Sequence, residues 1–425
     1  MKRWGFLLIS VGAAPIWLTG SAGVSAGNGG APAASRAAGA GTGRSDQSQI
    51  QAARRFDLSE ADRRRVIQTA EAYLKEAPVT VTASRSPRSA GGRHDFYSEG
   101  DYWWPDPANP AGPYIQRDGM SNPDNFVDHR RAMIRLSEHV STLASAYFLT
   151  LDERFATHAM THLRAWFTDE ATRMNPNLLY AQAIYKKVTG RGTGLIDTIH
   201  LVEVARATER LATAKSTRPA DIAAVKDWFS QYLVWLTTHQ YGIDERDAKN
   251  NHGTCWVMQV AAFARLTGHT ALLDDCRRRY KEVLLPGQMA ADGSFPLEIK
   301  RTKPYGYSLF NLDAFATICQ ILSTPDASLW TFALPDGRGI RKGMAFLFPY
   351  MQNKAAWPFP KDVMYFDEWP VRHPSLLFAG LALSEGAYLD LWTSLNASPS
   401  SEEVIRNLPV RHPLLWLDLP PAGRY

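Results

Sequence analysis

The sequence contains few cysteines, no lysine/arginine run that resembles a nucleic-acid-binding arm, and no interior segment that is long and apolar enough to cross a membrane. Its 3 cysteines, Cys255, Cys276 and Cys319, are too few for a disulfide framework and allow at most one bridge. We expect them to be buried free thiols. Without a basic arm, nucleic acid is not an expected partner.

Common signatures of metal and nucleotide sites are also lacking. His158 and His162 are four residues apart, as helical metal ligands are, but no metalloprotease glutamate accompanies them. The glycine-rich segment 190–194 lacks dinucleotide-binding spacing, so we interpret it as a loop. Cys255 lies three residues after His252, which rarely gives the geometry of a thiol nucleophile. We therefore expect neither a metal nor a cofactor.

The N-terminus has the organisation of a secretory signal peptide. Residues 1–3 are basic after the initial Met, residues 4–19 are largely apolar, and small residues at 24–26 suit a cleavage site. We predict a signal peptide over residues 1–26, a Gly/Ala/Ser-rich linker over 27–50, and a single domain over 51–425. The mature protein is then expected to be periplasmic or secreted, with no membrane span.

Helical periodicity dominates the rest of the chain. Apolar residues recur at the spacing of one helical face over 132–149, over 222–236 behind Pro219, over 256–264 and over 309–322. Short turns separate successive helices, at 149–152 and 267–270. Helical hairpins repeated over some three hundred residues predict an all-α fold, an incomplete (α/α) toroid or barrel whose loops frame a cleft. Three long loops, 102–125, 173–195 and 355–374, are candidates for lining that cleft.

Two polar segments about fifty residues apart carry the most informative side chains. The first contains Asn250, Asn251 and His252, and the second contains Arg301 and Tyr307. Removing a proton beside an ionised carboxylate requires donors that stabilise the developing enolate, and amide, imidazole and guanidinium groups can do this. Imidazole, with a reference pKa of about 6.5, is a suitable base near neutral pH. An asparagine capping the helix that follows is the structural alternative.

A phenol at Tyr307 requires help, because its reference pKa of about 10 keeps it protonated. A neighbouring Arg301 would favour the phenolate and so lower that pKa. The tyrosine would then accept the proton or donate one to the leaving oxygen. A packed aromatic residue is the alternative interpretation.

Several stretches, taken in order, resemble the alginate lyase superfamily of polysaccharide lyases over roughly residues 102–383. The pattern is closer to the family 38 type than to the family 5 alginate lyases. The stretches that carry the resemblance are Tyr102-Trp103-Trp104-Pro105-Asp106-Pro107, Trp166-Phe167 through Thr172-Arg173-Met174-Asn175-Pro176-Asn177-Leu178, Gly190-Arg191-Gly192-Thr193-Gly194, Asn250-Asn251-His252 with Trp256, and Tyr307-Ser308-Leu309-Phe310-Asn311-Leu312.

This resemblance implies an α/α toroid that cleaves a uronate polymer by β-elimination. By the same resemblance, Asn251 would help neutralise the carboxylate, and His252 would be the base or a carboxylate partner. Tyr307 would be the acid or acid/base, and Arg301 would assist the tyrosine or bind the carboxylate. In the family 5 pattern the arginine precedes the catalytic tyrosine by seven residues, whereas Tyr307 lies six after Arg301. Tyr305, four residues after Arg301, therefore remains an alternative tyrosine.

We predict an exported lyase that acts on a 1,4-linked acidic polysaccharide, with alginate the leading substrate and another polyuronate such as glucuronan the alternative. With 13 Trp, 16 Tyr and a formal charge of +5, the composition suits such a polymer. Besides the four catalytic candidates, the predicted substrate-binding residues are Asn250, Tyr305, Trp103, Trp104, Asn175, Asn177 and Gln182.

Two alternatives belong to other classes of protein. A glycoside hydrolase on a similar toroid would depend on two carboxylates, for which Asp292 with Glu298 or Asp367 with Glu368 are available. A non-catalytic polymer-binding protein would show no turnover. Neither alternative explains the Asn-His segment and the tyrosine segment together.

Overall fold

Helices form most of the chain in the computed structural model, which describes residues 56–417. These residues belong to one compact unit spanning 45–425. The predicted signal peptide and the predicted linker both lie outside the described residues. The α-helices are α1 (Leu58–Tyr73), α2 (Asp128–Thr150), α3 (Glu153–Phe167), α4 (Leu201–Leu211), α5 (Pro219–Thr238), α6 (Gln240–Arg246), α7 (Asn251–Thr267), α8 (Thr270–Arg279), α9 (Leu285–Gln288), α10 (Pro296–Ile299), α11 (Pro304–Leu322), α12 (Ile340–Gln352), α13 (Pro374–Leu383), α14 (Gly386–Ser394) and α15 (Glu402–Arg406).

The helices pack as an incomplete α/α toroid, which confirms the predicted fold class. Helix α2 packs against α1, α3 and α4, helix α7 against α4, α5, α8 and α11, and helix α11 against α13. Helices α7 and α11 are buried around almost their whole circumference, as expected for inner helices, whereas α1 and α5 bury one face. The four periodic segments read from the sequence correspond to α2, α5, α7 and α11.

Four short strands lie in, or directly before, the long loops 102–125 and 173–195. Strand β1 (Tyr97–Glu99) pairs in parallel with β4 (Tyr180–Ala183), and β2 (Trp103–Trp104) pairs antiparallel with β3 (Ile115–Gln116). The β1–β4 pairing brings the loop that precedes α2 beside the loop that precedes α4. Two of the three predicted cleft-forming loops, 102–125 and 173–195, therefore meet at the same end of the toroid.

Local backbone signals end the helices where the sequence predicts turns. Leu151 adopts a left-handed conformation with φ 57° directly after α2, and Gly268 does so with φ 79° directly after α7. All three cysteines are buried and free, in agreement with the sequence-based expectation. Within residues 56–417, no helix is long and apolar enough to span a bilayer.

A cluster of imidazoles lies between α2 and α3. The ring of His162 stacks on that of His139 with centroids 5.1 Å apart, and its Nε2 lies 3.4 Å from Nε2 of His158. Nε2 of His158 also lies 3.0 Å from the backbone oxygen of Glu76. No group of three His, Cys, Asp or Glu side chains in the described part of the chain is arranged to hold a metal ion.

This cluster makes the fold sensitive to acid. Burial, together with the charges of His139 and His158, lowers the pKa of His162 to about 3. In the unfolded chain an imidazole titrates near 6.5, so the unfolded state binds more protons between these two values. Stability should therefore fall as the pH decreases from about 6.5 toward about 3. Between pH 7 and pH 4.5, the free energy of unfolding should fall by about 2 kcal/mol less in His162→Gln than in the unmutated protein. Urea unfolding at the two pH values measures this difference.

The exposed His269 provides the matched control for this measurement. His269→Gln should keep the pH dependence of the unmutated protein. An identical pH dependence in His162→Gln and the unmutated protein would contradict the assignment.

Candidate active site

A cavity of about 310 Å³ opens where the two long loops meet the first turns of α7 and α11. Its walls come from both loops, from these two helices and from the end of α15. The side chains lining it are Asp101, Tyr102, Trp103, Gln116, Asp118, Gln182, Arg191, Thr193, Ile196, Asn251, His252, Arg301, Tyr307, Phe310, Arg406 and Asn407. All four predicted catalytic residues are among them.

His252 lies in the first turn of α7 and is held by a carboxylate. Its Nδ1 is 2.6 Å from Oε1 of Glu245, a buried residue of α6. An ionised carboxylate accepts the Nδ1 proton, so the basic lone pair resides on Nε2. The His252 side chain is 18% exposed, and its ring borders the cavity. The arrangement is that of an oriented general base.

Asn251, the first residue of α7, is fixed by a second buried carboxylate. Its backbone nitrogen and its Nδ2 donate to the two oxygens of Glu298, at 2.7 and 2.6 Å. The Asn251 Oδ1 has no hydrogen-bond partner among the described residues. Burial raises the pKa of Glu298, which marks the cost of placing this carboxyl in the core. Asn251 is therefore a rigid amide at the cavity wall.

Asn250 precedes α7 at its N-cap position, but its side chain makes no capping hydrogen bond. Its backbone oxygen accepts from Nε2 of Gln288 at 2.9 Å. The helix-cap explanation of the asparagine pair therefore does not apply to the Asn250 side chain. Asn250 also does not line the cavity.

The Tyr307 hydroxyl donates to the Tyr102 hydroxyl at 2.7 Å. Tyr307 is buried, and this burial raises its pKa well above the usual value for a phenol. The neighbouring Tyr102 acts in the same direction, and Arg301 acts in the opposite one. Arg301 therefore lowers the pKa as expected from the sequence, but burial outweighs it. The phenol is protonated in the free protein and suits a proton donor.

Arg301 lies against Tyr307 but is bound by another residue. Its Cζ is 4.7 Å from the centroid of the Tyr307 ring. Its Nε and Nη2 donate to the two carboxylate oxygens of Asp118, at 3.0 and 2.6 Å. This bidentate pair fixes the guanidinium plane and neutralises its charge. The geometry favours an effect of Arg301 on the tyrosine over direct capture of a substrate carboxylate.

Tyr305, the alternative tyrosine, points into the core. Its ring packs on Trp357 and Phe366, and its hydroxyl donates to the backbone oxygen of Tyr350 at 3.1 Å. Residues two apart on a helix point in nearly opposite directions, so only one of the two tyrosines can face the cavity. That residue is Tyr307.

Trp103 and Gln182 line the cavity, whereas three other predicted contacts do not. Trp104 points to the other face of β2, where its Nε1 donates to the Met120 backbone oxygen at 2.8 Å. Asn175 donates to Asp95 at 2.7 Å and borders a separate cavity of about 320 Å³. Asn177 accepts from the Leu179 backbone nitrogen at 3.3 Å, which is a turn-forming role.

The sequence-based site omitted several residues that complete the geometry. Tyr102 adjoins Trp103 in the first motif that carries the resemblance, but sequence analysis placed it only in the loop 102–125. Asp118, Glu245 and Glu298 gave no local signal, because each acts on a partner that only the tertiary structure brings close.

Other chemistries fit the cavity poorly. Asp101 and Asp118 are the carboxylates that line it, and Arg130 and Arg301 respectively bind them at 2.6 Å. These arginines hold the pKa of both carboxyls below the usual range despite burial. A glycosidase requires one carboxyl to remain protonated as an acid, and neither is suited to that role. Cys255 is fully buried, and burial raises the pKa of its thiol, so it is not a nucleophile.

Comparisons with known proteins identify the family of this chain. The alginate lyase family model matches residues 80–357. An alginate lyase from Bacteroides ovatus is 30% identical, with a TM-score of 0.75, and the match covers 89% of this chain and 98% of that one. Alginate lyase A1-III from Sphingomonas species A1 shares the fold at 14% identity and a TM-score of 0.50, covering 88% of this chain and 95% of that one. No curated protein matches the chain significantly.

The toroid, its cavity and these relatives define the protein as a polysaccharide lyase. The family model matches more than half of the chain, and the alignment with the Bacteroides relative covers most of both chains. The chain belongs to the alginate lyase family.

Proposed function

We propose that the protein cleaves alginate by β-elimination in the 310 Å³ cavity, with His252 as the base and Tyr307 as the acid. The observation that carries the proposal is the meeting of an oriented imidazole and a protonated phenol at one cavity. His252 comes from the first turn of α7 and Tyr307 from the first turn of α11. The N-termini of these two helices also place positive partial charge beside an anionic substrate.

In the proposed reaction, Nε2 of His252 removes the C5 proton of a uronate residue. The electron pair of the C5–H bond forms the C4–C5 double bond, and the bond from C4 to the glycosidic oxygen breaks. Tyr307 donates its proton to that departing oxygen. The second N–H of Asn251 Nδ2, the one not donated to Glu298, stabilises the negative charge that develops on the carboxylate during proton removal.

Which face of the sugar each group approaches depends on the substrate. When the proton and the leaving oxygen lie on opposite faces, the base and the acid act from two sides. When they lie on the same face, Tyr307 would serve both steps and would first have to lose its proton. The raised pKa of Tyr307 favours the first arrangement. Mannuronate and guluronate are epimers at C5, so comparing the two block polymers distinguishes these arrangements.

The first test is ultraviolet absorbance on mixing the unmutated protein with alginate, its two block polymers and glucuronan. We expect a rise from the conjugated double bond of the 4,5-unsaturated uronate, largest with an alginate polymer. New reducing ends without this absorbance would indicate hydrolysis and overturn the proposal. An absorbance rise confined to glucuronan would retain the elimination and replace the substrate.

We also propose that the protein acts outside the cytoplasm, in the periplasm or after secretion. The basic and apolar segments of residues 1–26 and the small residues at 24–26 support this location. Comparing the cell fractions that contain the full-length chain and a variant lacking residues 1–26 tests it. Retention of both in the cytoplasm would contradict export.

A further inference from the structure

Basic side chains around the catalytic cavity differ in whether they are paired directly with a carboxylate. The lining residues of this kind are Arg191, His252, Arg301 and Arg406. His252 pairs with Glu245 and Arg301 with Asp118. Arg406 pairs with both Asp101 and Glu403, at 3.3 and 3.1 Å. Arg191 alone among these four forms no ion pair within residues 56–417.

The guanidinium of Arg191 is held by neutral acceptors from one residue. Its Nε donates to the Gln182 backbone oxygen at 3.0 Å, and its Nη2 donates to Gln182 Oε1 at 2.8 Å. The Gln182 side chain is fixed in turn, because its Nε2 donates to Asp197 at 3.2 Å. These contacts set the orientation of Arg191 without supplying a counter-ion. Nη1 makes no hydrogen bond to the described residues.

The backbone around this pair is unusual, as expected for a site that must present a side chain. Gln182 has a positive φ of 49°, which is uncommon for a residue other than glycine. Gly190 packs so closely that an added Cβ would lie 2.0 Å from the Leu179 backbone oxygen. The hydroxyl of Tyr241 donates to the Gly190 backbone oxygen at 2.9 Å. The loop therefore fixes the position of Arg191.

A partly buried guanidinium that no carboxylate contacts directly is costly, since burial penalises its charge. Burial lowers the pKa of Arg191 although the more distant charges of Asp197, Glu245 and Asp101 act to raise it, so these carboxylates compensate only part of the cost. Arginine nevertheless stays charged at all ordinary pH values, and its planar fork matches a carboxylate. An anionic ligand in the cavity would supply the missing partner.

We propose that Arg191 binds the carboxylate of a uronate residue in this cavity and that Arg301 acts instead through Tyr307. This inference rests on the proposed function, because it assigns the group that recognises the acidic sugar. Trp103 lies beside the site, with Arg191 Cζ 5.8 Å from its ring centroid. Its aromatic face provides a surface against which the same sugar ring can pack.

A second, larger cavity shows that arginine content alone does not make such a site. This cavity of about 580 Å³ lies between α2 and the segment 397–412 and is lined by several arginines. Each of them has a carboxylate partner: Arg65 with Asp62, Arg130 with Asp101, Arg131 with Glu402, Arg135 with Glu76, Arg406 with Glu403, and Arg411 with Glu138. Each guanidinium there therefore already has a direct counter-charge.

The test measures binding separately from turnover. A trimer of uronate residues is titrated into Tyr307→Phe and into the double variant Tyr307→Phe/Arg191→Gln, using calorimetry. We expect the second change to weaken binding by about tenfold to a hundredfold, because it removes a charge-assisted contact. Arg191→Lys should retain part of the affinity, since it keeps the charge and loses the fork.

Two controls separate a lost ion pair from a distorted cavity. Lys187 is exposed, with Nζ 4.7 Å from the Trp103 ring centroid, and Lys187→Gln should leave the affinity nearly unchanged. A carboxyl-reduced, neutral trimer should bind both proteins equally weakly. Equal affinity of the two proteins for the charged trimer would overturn the inference, as would an equal loss for the neutral trimer.

The ultraviolet assay of the unmutated protein keeps the two proposals distinguishable. Elimination by that protein, combined with unchanged binding in the Arg191 variant, overturns only the role of Arg191. Absence of elimination overturns the proposed function, whereas the binding measurement still decides whether Arg191 holds a carboxylate.

Discussion

Replacing Tyr307 with phenylalanine should reduce the rate of elimination by about 10²- to 10⁴-fold, the usual contribution of a general acid. The change removes only the hydroxyl that donates to Tyr102 and leaves the ring beneath Arg301. The substrate should still bind, so the loss should appear in kcat with little change in KM. Initial rates of absorbance change on an alginate polymer provide the measurement.

The chain supplies a matched control two residues earlier. Tyr305→Phe also removes one buried hydroxyl, here the donor to the Tyr350 backbone oxygen. It should cost about 1 kcal/mol of stability and leave kcat nearly unchanged. A large loss of activity in Tyr305→Phe with little in Tyr307→Phe would reverse the assignment of the catalytic tyrosine.

The pH profile provides a second readout for Tyr307. As an acid it must be protonated, and its pKa is raised above the usual value for a phenol. The alkaline limb of kcat should therefore not reflect loss of this proton until pH values above about 10, the reference value for a phenol. A requirement for deprotonated Tyr307, seen as an activity that rises with pH in the unmutated protein and loses that rise in Tyr307→Phe, would contradict the acid role.

Replacing His252 with alanine should also reduce kcat by about 10²- to 10⁴-fold, because it removes the proposed base. The residue is in the first turn of α7 and borders the cavity, so the change should affect the fold less than removal of a core side chain. Circular dichroism and urea unfolding check the fold, and the absorbance assay measures the rate. His269→Ala, in the turn that follows the C-terminal end of α7, is the matched control.

Glu245→Gln tests the orientation and tautomer of the His252 imidazole while the imidazole itself stays in place. Glutamine can still bond to Nδ1 but carries no charge to fix the tautomer with the lone pair on Nε2. We expect a loss in kcat smaller than that of His252→Ala, together with a changed acidic limb of the pH profile. Full activity in Glu245→Gln would show that the 2.6 Å contact does not orient the base.

The fold could be predicted from the sequence because its main elements are long and periodic. Apolar spacing identified α2, α5, α7 and α11, each of which buries several turns. The strands could not be predicted in the same way, since β2 and β3 have two residues each and β1 pairs with a partner eighty residues away. Such pairing depends on tertiary contacts more than on local preference.

The candidate site was predictable where its residues are neighbours in sequence. Asn251 and His252 adjoin each other, and Arg301 lies near Tyr307, so each pair is recognisable in the sequence as one polar segment. The choice between Tyr305 and Tyr307 required the direction in which α11 faces the cavity. Pro304 at the start of that helix indicates where it begins, but not which side is buried.

Charge compensation was the part of the site that the sequence could not reveal. Asp118 lies far from Arg301 in the chain, and only the folded loop brings their side chains together. From the sequence alone, Arg301 is a candidate for binding a substrate carboxylate. The Asp118 contact occupies its guanidinium and leaves Arg191, which in the sequence is only part of a glycine-rich loop, as the candidate for this role.

Asp101 and Arg406 together form one wall of the cavity, and their positions in the chain determine how late in synthesis this cavity can be completed. Asp101 lies near the start of the described domain, and Arg406 pairs with it from α15, near the end. The cavity is therefore incomplete until almost the whole chain has been made. A nascent chain stopped after α11 would already contain His252 and Tyr307 but would lack one side of the cavity that they border.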